Sequence, residues 1–205
     1  MAKHDKIEVG VSTILNPVPV VMVSCAGKDP EKERPNIITV AWAGTVNSEP
    51  PMVSVSIRKS RHSYGIIKET GEFVINLVNK SLVKACDHCG IRSGADEDKF
   101  KECGLTAVKA SGLDYAYAIK EAPVSLSCRV KSITELGSHD MFIAEVTAVT
   151  ADSYLLDDKG RLCLDNAKLC AYNHGEYFLL GEKVGFFGYS AASEEILRKR
   201  LGKKS

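Results

Sequence analysis

Between residues 52 and 79 the chain reads MVSVSIRKSRHSYGIIKETGEFVINLVN, and the middle of this stretch concentrates groups that hold an anion. Ser56, Ile57 and Arg58 end an alternating apolar and polar run. Lys59, Ser60, Arg61 and His62 form a cationic turn, and a short helical pattern opens at Ser63 and Tyr64. Hydroxyls, a guanidinium and the free N–H groups of a helix start, aimed at one point, suit a phosphate. The same residues also suit a solvated basic turn between a strand and a helix. No GxGxxG and no Walker A sequence occurs, so neither a Rossmann nor a P-loop nucleotide site is supported.

Three other clusters carry potential chemistry. In the run NIITVAW, a strand would put Ile37, Thr39 and Ala41 on one face and Asn36, Ile38, Val40 and Trp42 on the other. Trp42 is the only tryptophan, and by residue type alone it reads as core. Asn36 and Thr39 need hydrogen-bond partners if buried, and a heteroaromatic ring could supply them. Gly137, Ser138, His139 and Asp140 lead into a strand pattern, where His139 reads either as an oriented imidazole or as an exposed hairpin residue. Cys86, Asp87, His88 and Cys89 form a CxxC with an interior histidine. Tetrahedral zinc wants a second ligand pair, and Cys103, Cys163, Cys170 and His174 form no second CxxC. Packing thiols are the default, with zinc or a redox dithiol as alternatives. There is no GxSxG elbow to support a serine hydrolase.

The elements that must position these residues are mostly strands. Period-2 alternation or β-branched runs predict strands at 18–25, 36–46, 52–57, 73–78, 124–134 and 141–150, with short ones at 168–172 and 184–187. Shorter helical patterns predict helices at 63–69, ended by Gly71, at 81–88 with Ser81 as N-cap, and at 96–102. A C-terminal helix is expected at 190–204, with Glu194 and Glu195 at its start and cations at its end. Many strands with few helices make a mainly β fold, a closed antiparallel barrel that leaves no open edges.

The 205 residues are read as one domain with a helical tail. Hydrophobic residues make up 44% of the chain, enough for a sizeable core. The 27 basic and 26 acidic residues leave a formal charge of +1, which argues against nucleic acid and against a polybasic membrane surface. No apolar run approaches the ~20 residues that span a bilayer, and the N-terminus lacks a signal-peptide core, so a cytoplasmic location is expected. An odd count of seven cysteines then favours free thiols.

Taken together, the segments NPVPVVMVSC, NIITVAWAGTVNSEPPMVSVSIRKSRHSYGIIKETGEFVINL, CGIRSGADEDKFKECGLT, APVSLSCRV, GSHDMFIAEV and LLGEKVG resemble the flavin reductase-like family, and within it the flavoredoxin-type branch. They occur in the family's order over residues 12–190. The resemblance implies an FMN-binding split barrel with Greek-key strands and a C-terminal helix, FMN held non-covalently, and a homodimer. It implies that Asn36, Thr39, Ala41 and Trp42 lie along the flavin. Ser56, Ile57 and Arg58 would approach the ribityl chain and phosphate, and His62, Ser63 and Tyr64 would complete the phosphate cradle. Residues 137–142 are similar to the family's Gly-Asp-His segment, which gives His139 a catalytic role near nicotinamide and flavin. Ser138 stands where the family has Asp, so a carboxylate for His139 is either missing or supplied by Asp140. The implied function is an NAD(P)H-dependent flavin or ferric reductase. The alternative is a flavoredoxin-type carrier fed by a redox protein donor such as ferredoxin. A barrel that binds a small molecule or metal without flavin is the third reading.

Overall fold

In the computed structural model, which describes residues 4–29 and 33–201, the chain runs through β1 (Val18–Pro19), β2 (Val21–Cys25), β3 (Asn36–Val40), β4 (Ala43–Ser48) and β5 (Pro51–Ile57). Helix α1 (His62–Thr70), strand β6 (Glu72–Leu77) and helices α2 (Val83–Ile91) and α3 (Lys99–Glu102) follow. Then come β7 (Ala107–Lys109), β8 (Tyr117–Ile119) and the long strands β9 (Val124–Glu135) and β10 (Asp140–Ala151). Strands β11 (Cys170–Asn173) and β12 (Glu176–Leu179) precede helix α4 (Glu194–Leu201).

Seven strands form one antiparallel sheet in the order β3-β2-β6-β9-β10-β5-β4. Its two edge strands, β3 and β4, are consecutive in the chain and joined only by Ala41 and Trp42. The three steps from Val40 to Ala43 reach roughly 11 Å at most. The edges therefore meet at one end, and the sheet curls into a half-barrel with Trp42 at its seam. This is the mainly β architecture with few helices that the strand pattern predicts. The run 36–46, expected as one strand, breaks here because Ala41 and Trp42 turn the chain from one edge to the other.

Two cores flank the curled sheet. Val23, Ile38, Val40, Val55, Ile57, Phe73 and Phe142 fill its inside, where Tyr64 and Ile67 of α1 close one end. Met22, Ile37, Val78, Cys86, Cys89 and Phe100 pack on the outside, between the sheet and helices α2 and α3. Strand β2 is thus buried on both faces, which explains an apolar run there without alternation. Helix α1 ends at Gly71, whose φ of 69° lets its N–H return to Ile67 O.

Several sequence expectations are corrected. Strand 184–187 does not form, and Val184 and Phe187 are exposed; β12 at Glu176–Leu179 instead pairs with β11, completing the small sheet β1-β11-β12. Ser81 does not cap α2: a 3-10 turn, Lys80–Leu82, leads into the helix and is capped by Asn79, which accepts from Leu82 N at 3.2 Å, while Ser81 donates to the Asn79 side chain at 2.7 Å. Helix α3 keeps only four residues, starting after Asp98, whose carboxylate accepts from Lys101 N. Helix α4 starts at Glu194 rather than 190, and residues 202–204 of the expected helix lie outside the described residues. Strands β7 and β8 were not expected; each is only three residues long, too short to show a period. Among the described residues no helix is long and apolar enough to cross a membrane.

Candidate functional site

The seam of the half-barrel carries a cleft of about 380 Å³. Thr39 of β3, Ala41 and Trp42 of the bend, Ser56 and Ile57 of β5, and Arg58 and Arg61 of the following turn all line it. His139, just before β10, faces the same space, as do Gly90 and Ile91 of α2, Asp87, Tyr172 and Tyr177. Trp42 is 37% exposed, so it belongs to this surface and not to the core that its residue type suggests.

The cleft owes its composition to strand geometry. Ser54 and Ser56 alternate with the buried Val53, Val55 and Ile57 along β5, so their hydroxyls point away from the inner core. Ser56 N donates to Trp42 O at 2.9 Å, which fixes the bend against β5. Thr39, on the outer face of β3, donates to Cys86 O. Helix α2 approaches closely at this point: a Cβ on Gly90 would come 3.3 Å from Thr39 Cβ, tighter than ordinary contact.

The electrostatics are one-sided. Arg58 and Arg61 have no ion-pair or side-chain hydrogen-bond partner among the described residues, although ten ion pairs occur elsewhere in them. Their field reaches His139. Burial first, then the charges of Arg58 and Arg61, hold this imidazole below the usual histidine value. Among the described residues Asp87 is the one carboxylate on the wall, and it accepts the Tyr177 hydroxyl at 3.2 Å.

Two further hollows adjoin the cleft. One of about 500 Å³ shares Ala41, Trp42, Ser56 and His139 with it, and is otherwise lined by uncharged residues including Leu15, Val18, Gly44, Ser54, Leu136 and Ser138. The other, about 130 Å³, gathers Asn36, Ser60, Arg61, His62, Ser63, Arg92 and Lys99. Of the residues singled out from the sequence, Thr39, Ala41, Trp42, Ser56, Ile57, Arg58 and His139 therefore share the main cleft. Asn36, His62 and Ser63 sit together in the small hollow, which meets the cleft at Ile38, Arg61 and Gly90. Tyr64 lines neither. It packs edge-on against Phe142 and donates to Asp140 Oδ2 at 2.6 Å, a bond that, ahead of burial, raises the phenol.

Asp140 does not serve His139. Its carboxylate is buried against Tyr64 and Lys59, and its Oδ1 has no partner among the described residues. Ser138 Oγ is the atom that meets His139 Nδ1, at 2.9 Å. The CxxC thiols Cys86 and Cys89 are fully buried in the outer core, where burial pushes Cys86 up to about 12.

Sequence reasoning missed Arg92, Lys99, Gly90, Tyr172 and Tyr177. Lys99 is buried and its Nζ donates to Ile37 O and Cys89 O, both at 2.8 Å. None of these carried a local signal, because they arrive from segments distant in the chain; Arg61, by contrast, stands in the cationic turn named from the sequence.

Fold and site define a curled antiparallel half-barrel with a cleft at its seam lined by Arg58 and Arg61, a split barrel. Residues 14–177 match the family model described as the flavin reductase like domain, and the chain belongs to that family. Among solved structures it is similar to the flavoredoxin of Desulfovibrio vulgaris (Miyazaki F), at 31% identity and a TM-score of 0.84, over 92% of this chain and 100% of that one. It is also similar to a flavoredoxin from Methanosarcina acetivorans, at 26% identity and a TM-score of 0.82, over 92% and 100% of the two chains. An uncharacterized protein of Archaeoglobus fulgidus is 35% identical over 62% of this chain and 71% of its own length.

Proposed function

We propose that the chain is an FMN-binding oxidoreductase that holds the flavin in the Trp42 cleft. The observation that carries this reading is the convergence of a planar wall with two unpaired guanidinium groups, Arg58 and Arg61, in one cleft. A flavin mononucleotide asks for that combination: an apolar slot for the ring and cationic donors for a phosphate. The residues present fit the group. Thr39, Ala41 and Trp42 would lie along the ring, Ser56, Ile57 and Arg58 along the ribityl chain and phosphate, and Arg61 with the hollow of Asn36, His62 and Ser63 would take the phosphate end. Tyr64 would act from beneath, by fixing Asp140. FMN, when bound, supplies hydride and electron transfer. The protein's share is placement, exclusion of water by the Trp42 seam, and a cationic field that favours negative charge.

The 500 Å³ hollow beyond Trp42 supports a reductase in which a nicotinamide or an acceptor approaches next to His139. His139, held below the usual histidine value by burial and by Arg58 and Arg61, would favour the neutral imidazole there. A second reading, a flavoredoxin-type carrier fed by a redox protein, draws on the 31% and 26% identity to the two flavoredoxins. Both readings require yellow protein with a flavin band. Anaerobic mixing with NADH and NADPH separates them: bleaching by either supports the reductase, and a band that persists with both supports the carrier. A colourless protein that takes up no added FMN would sink the two together. Exposed apolar side chains such as Val11, Leu15, Leu180 and Phe187 also support a homodimer, which light scattering would test.

A further inference from the structure

Cys89 Sγ and Cys103 Sγ lie 3.9 Å apart. That is contact distance for two thiols, about 2 Å longer than a disulfide bond. Their positions differ in a useful way. Cys89 is fully buried in the last turns of α2, whereas Cys103, directly after α3, is partly exposed and reachable by a small oxidant. The ammonium of buried Lys99 holds the Cys89 carbonyl at 2.8 Å and lowers the cost of charge on both sulfurs, against a burial that raises both thiols.

The pair is also wired to the cleft. Gly90, the residue after Cys89, packs closely on Thr39, where a Cβ would come 3.3 Å from Thr39 Cβ, and Gly90 and Ile91 line the cleft. Lys99 spans from Cys89 O to Ile37 O, so α2, α3 and β3 are tied through the backbone of Cys89 itself.

We propose that Cys89 and Cys103 are a redox-modification site: hydrogen peroxide converts them to a reversible disulfide, and closing it shifts the α2 end that walls the cleft. The Cys103 sulfur attacks one peroxide oxygen, the O–O bond breaks, and the thiol proton leaves with the other oxygen as water, giving a sulfenic acid. The Cys89 sulfur then attacks the sulfenic sulfur, the S–O bond breaks, and a second water departs with the Cys89 proton. Two thiols lose two electrons and the peroxide gains them. Drawing the sulfurs together by about 2 Å cannot leave Gly90 undisturbed on Thr39, because the outer core around both thiols is close-packed.

The test treats reduced full-length protein with hydrogen peroxide, blocks remaining thiols with N-ethylmaleimide and maps peptides without reduction. The expected result is a Cys89 peptide joined to a Cys103 peptide and released by dithiothreitol. Altered hydrogen exchange at Gly90 and Ile91 and a several-fold change in FMN affinity should accompany it. Cys103→Ser and Cys103→Ala should form no link and bind FMN like the parent. Recovery of both residues as maleimide adducts, or of Cys103 as sulfinic acid without a link, overturns the proposal, and so does a link with unchanged exchange at Gly90. The affinity readout rests on the flavin reading above. Reduced protein that takes up no FMN would defeat that reading alone, since mapping and exchange decide the thiol chemistry without a flavin.

Discussion

Asn36 Nδ2 donates to Ser63 Oγ at 2.7 Å, and both side chains are buried. The bond ties the first residue of β3 to the second residue of α1, beneath the turn that carries Arg58 and Arg61. Asn36→Ala leaves the Ser63 hydroxyl without this donor in a buried place, which costs about 1–3 kcal/mol. Urea unfolding should show a lower midpoint with an unchanged slope. FMN affinity should fall less than on loss of Arg58, because the side chain supports the turn as well as facing the small hollow.

Arg58→Ala and Arg61→Ala should each weaken FMN binding by about 1.5–3 kcal/mol, the range for a hydrogen bond to a charged group. Fluorescence titration with FMN measures this directly. Riboflavin, which lacks the phosphate, should bind parent and variants alike. If the variants lose riboflavin and FMN equally, the guanidinium groups do not face a phosphate.

Trp42 is the only tryptophan of the chain and it lines the cleft. Adding FMN should therefore quench the intrinsic indole emission in proportion to occupancy. Trp42→Ala should lose about 1 kcal/mol of affinity with the aromatic contact. Indole emission that stays constant while the flavin band is taken up would move the ring to another site.

His139 gives a pH signature whose sign is fixed. Its folded-state value is lowered, by burial first and then by Arg58 and Arg61. The folded chain thus binds fewer protons than the unfolded one. The stability tied to this group is full above the ordinary histidine value near 6.5 and is lost as pH falls through the lower folded value. Arg61→Ala removes a neighbouring cation and should raise the His139 midpoint, as should a bound phosphate. Imidazole proton shifts read both; a midpoint that moves downward on either change would contradict the proximity of these charges.

Asn76 is the polar hub of the sheet. Its Nδ2 donates to Met22 O and Ser24 Oγ, both at 2.9 Å, and its Oδ1 accepts from Ile119 N at 3.0 Å and Ser125 Oγ at 2.9 Å. Asn76→Ala removes a partner from four groups at once, of which Ser24 Oγ keeps its bond to Tyr117 O, and should cost about 3 kcal/mol. Thermal unfolding would show a fall of roughly 6–12 °C for a chain of this size. A smaller loss would mean that water replaces the amide.

The alternation of Val53, Val55 and Ile57 against Ser54 and Ser56, the cationic turn from Arg58 to His62 and the stop at Gly71 were legible in the sequence. Each depends on side-chain period or on backbone sterics between near neighbours. So were the two-faced character of Asn36, Ile37, Ile38 and Thr39 and the mainly β architecture with few helices. What the sequence could not display was the meeting of the sheet's two edges at Ala41 and Trp42. That bend takes Trp42 out of the core and sets it opposite His139, nearly a hundred residues later in the chain. Gly90, Lys99, Tyr172 and Tyr177 reach the site only because burial of two cores, inside and outside β2 and β3, forces α2, α3 and the small sheet against the seam. Local patterns name the strands and the turn chemistry. The choice of which segments share a cleft belongs to long-range packing, which no stretch of residues encodes by itself.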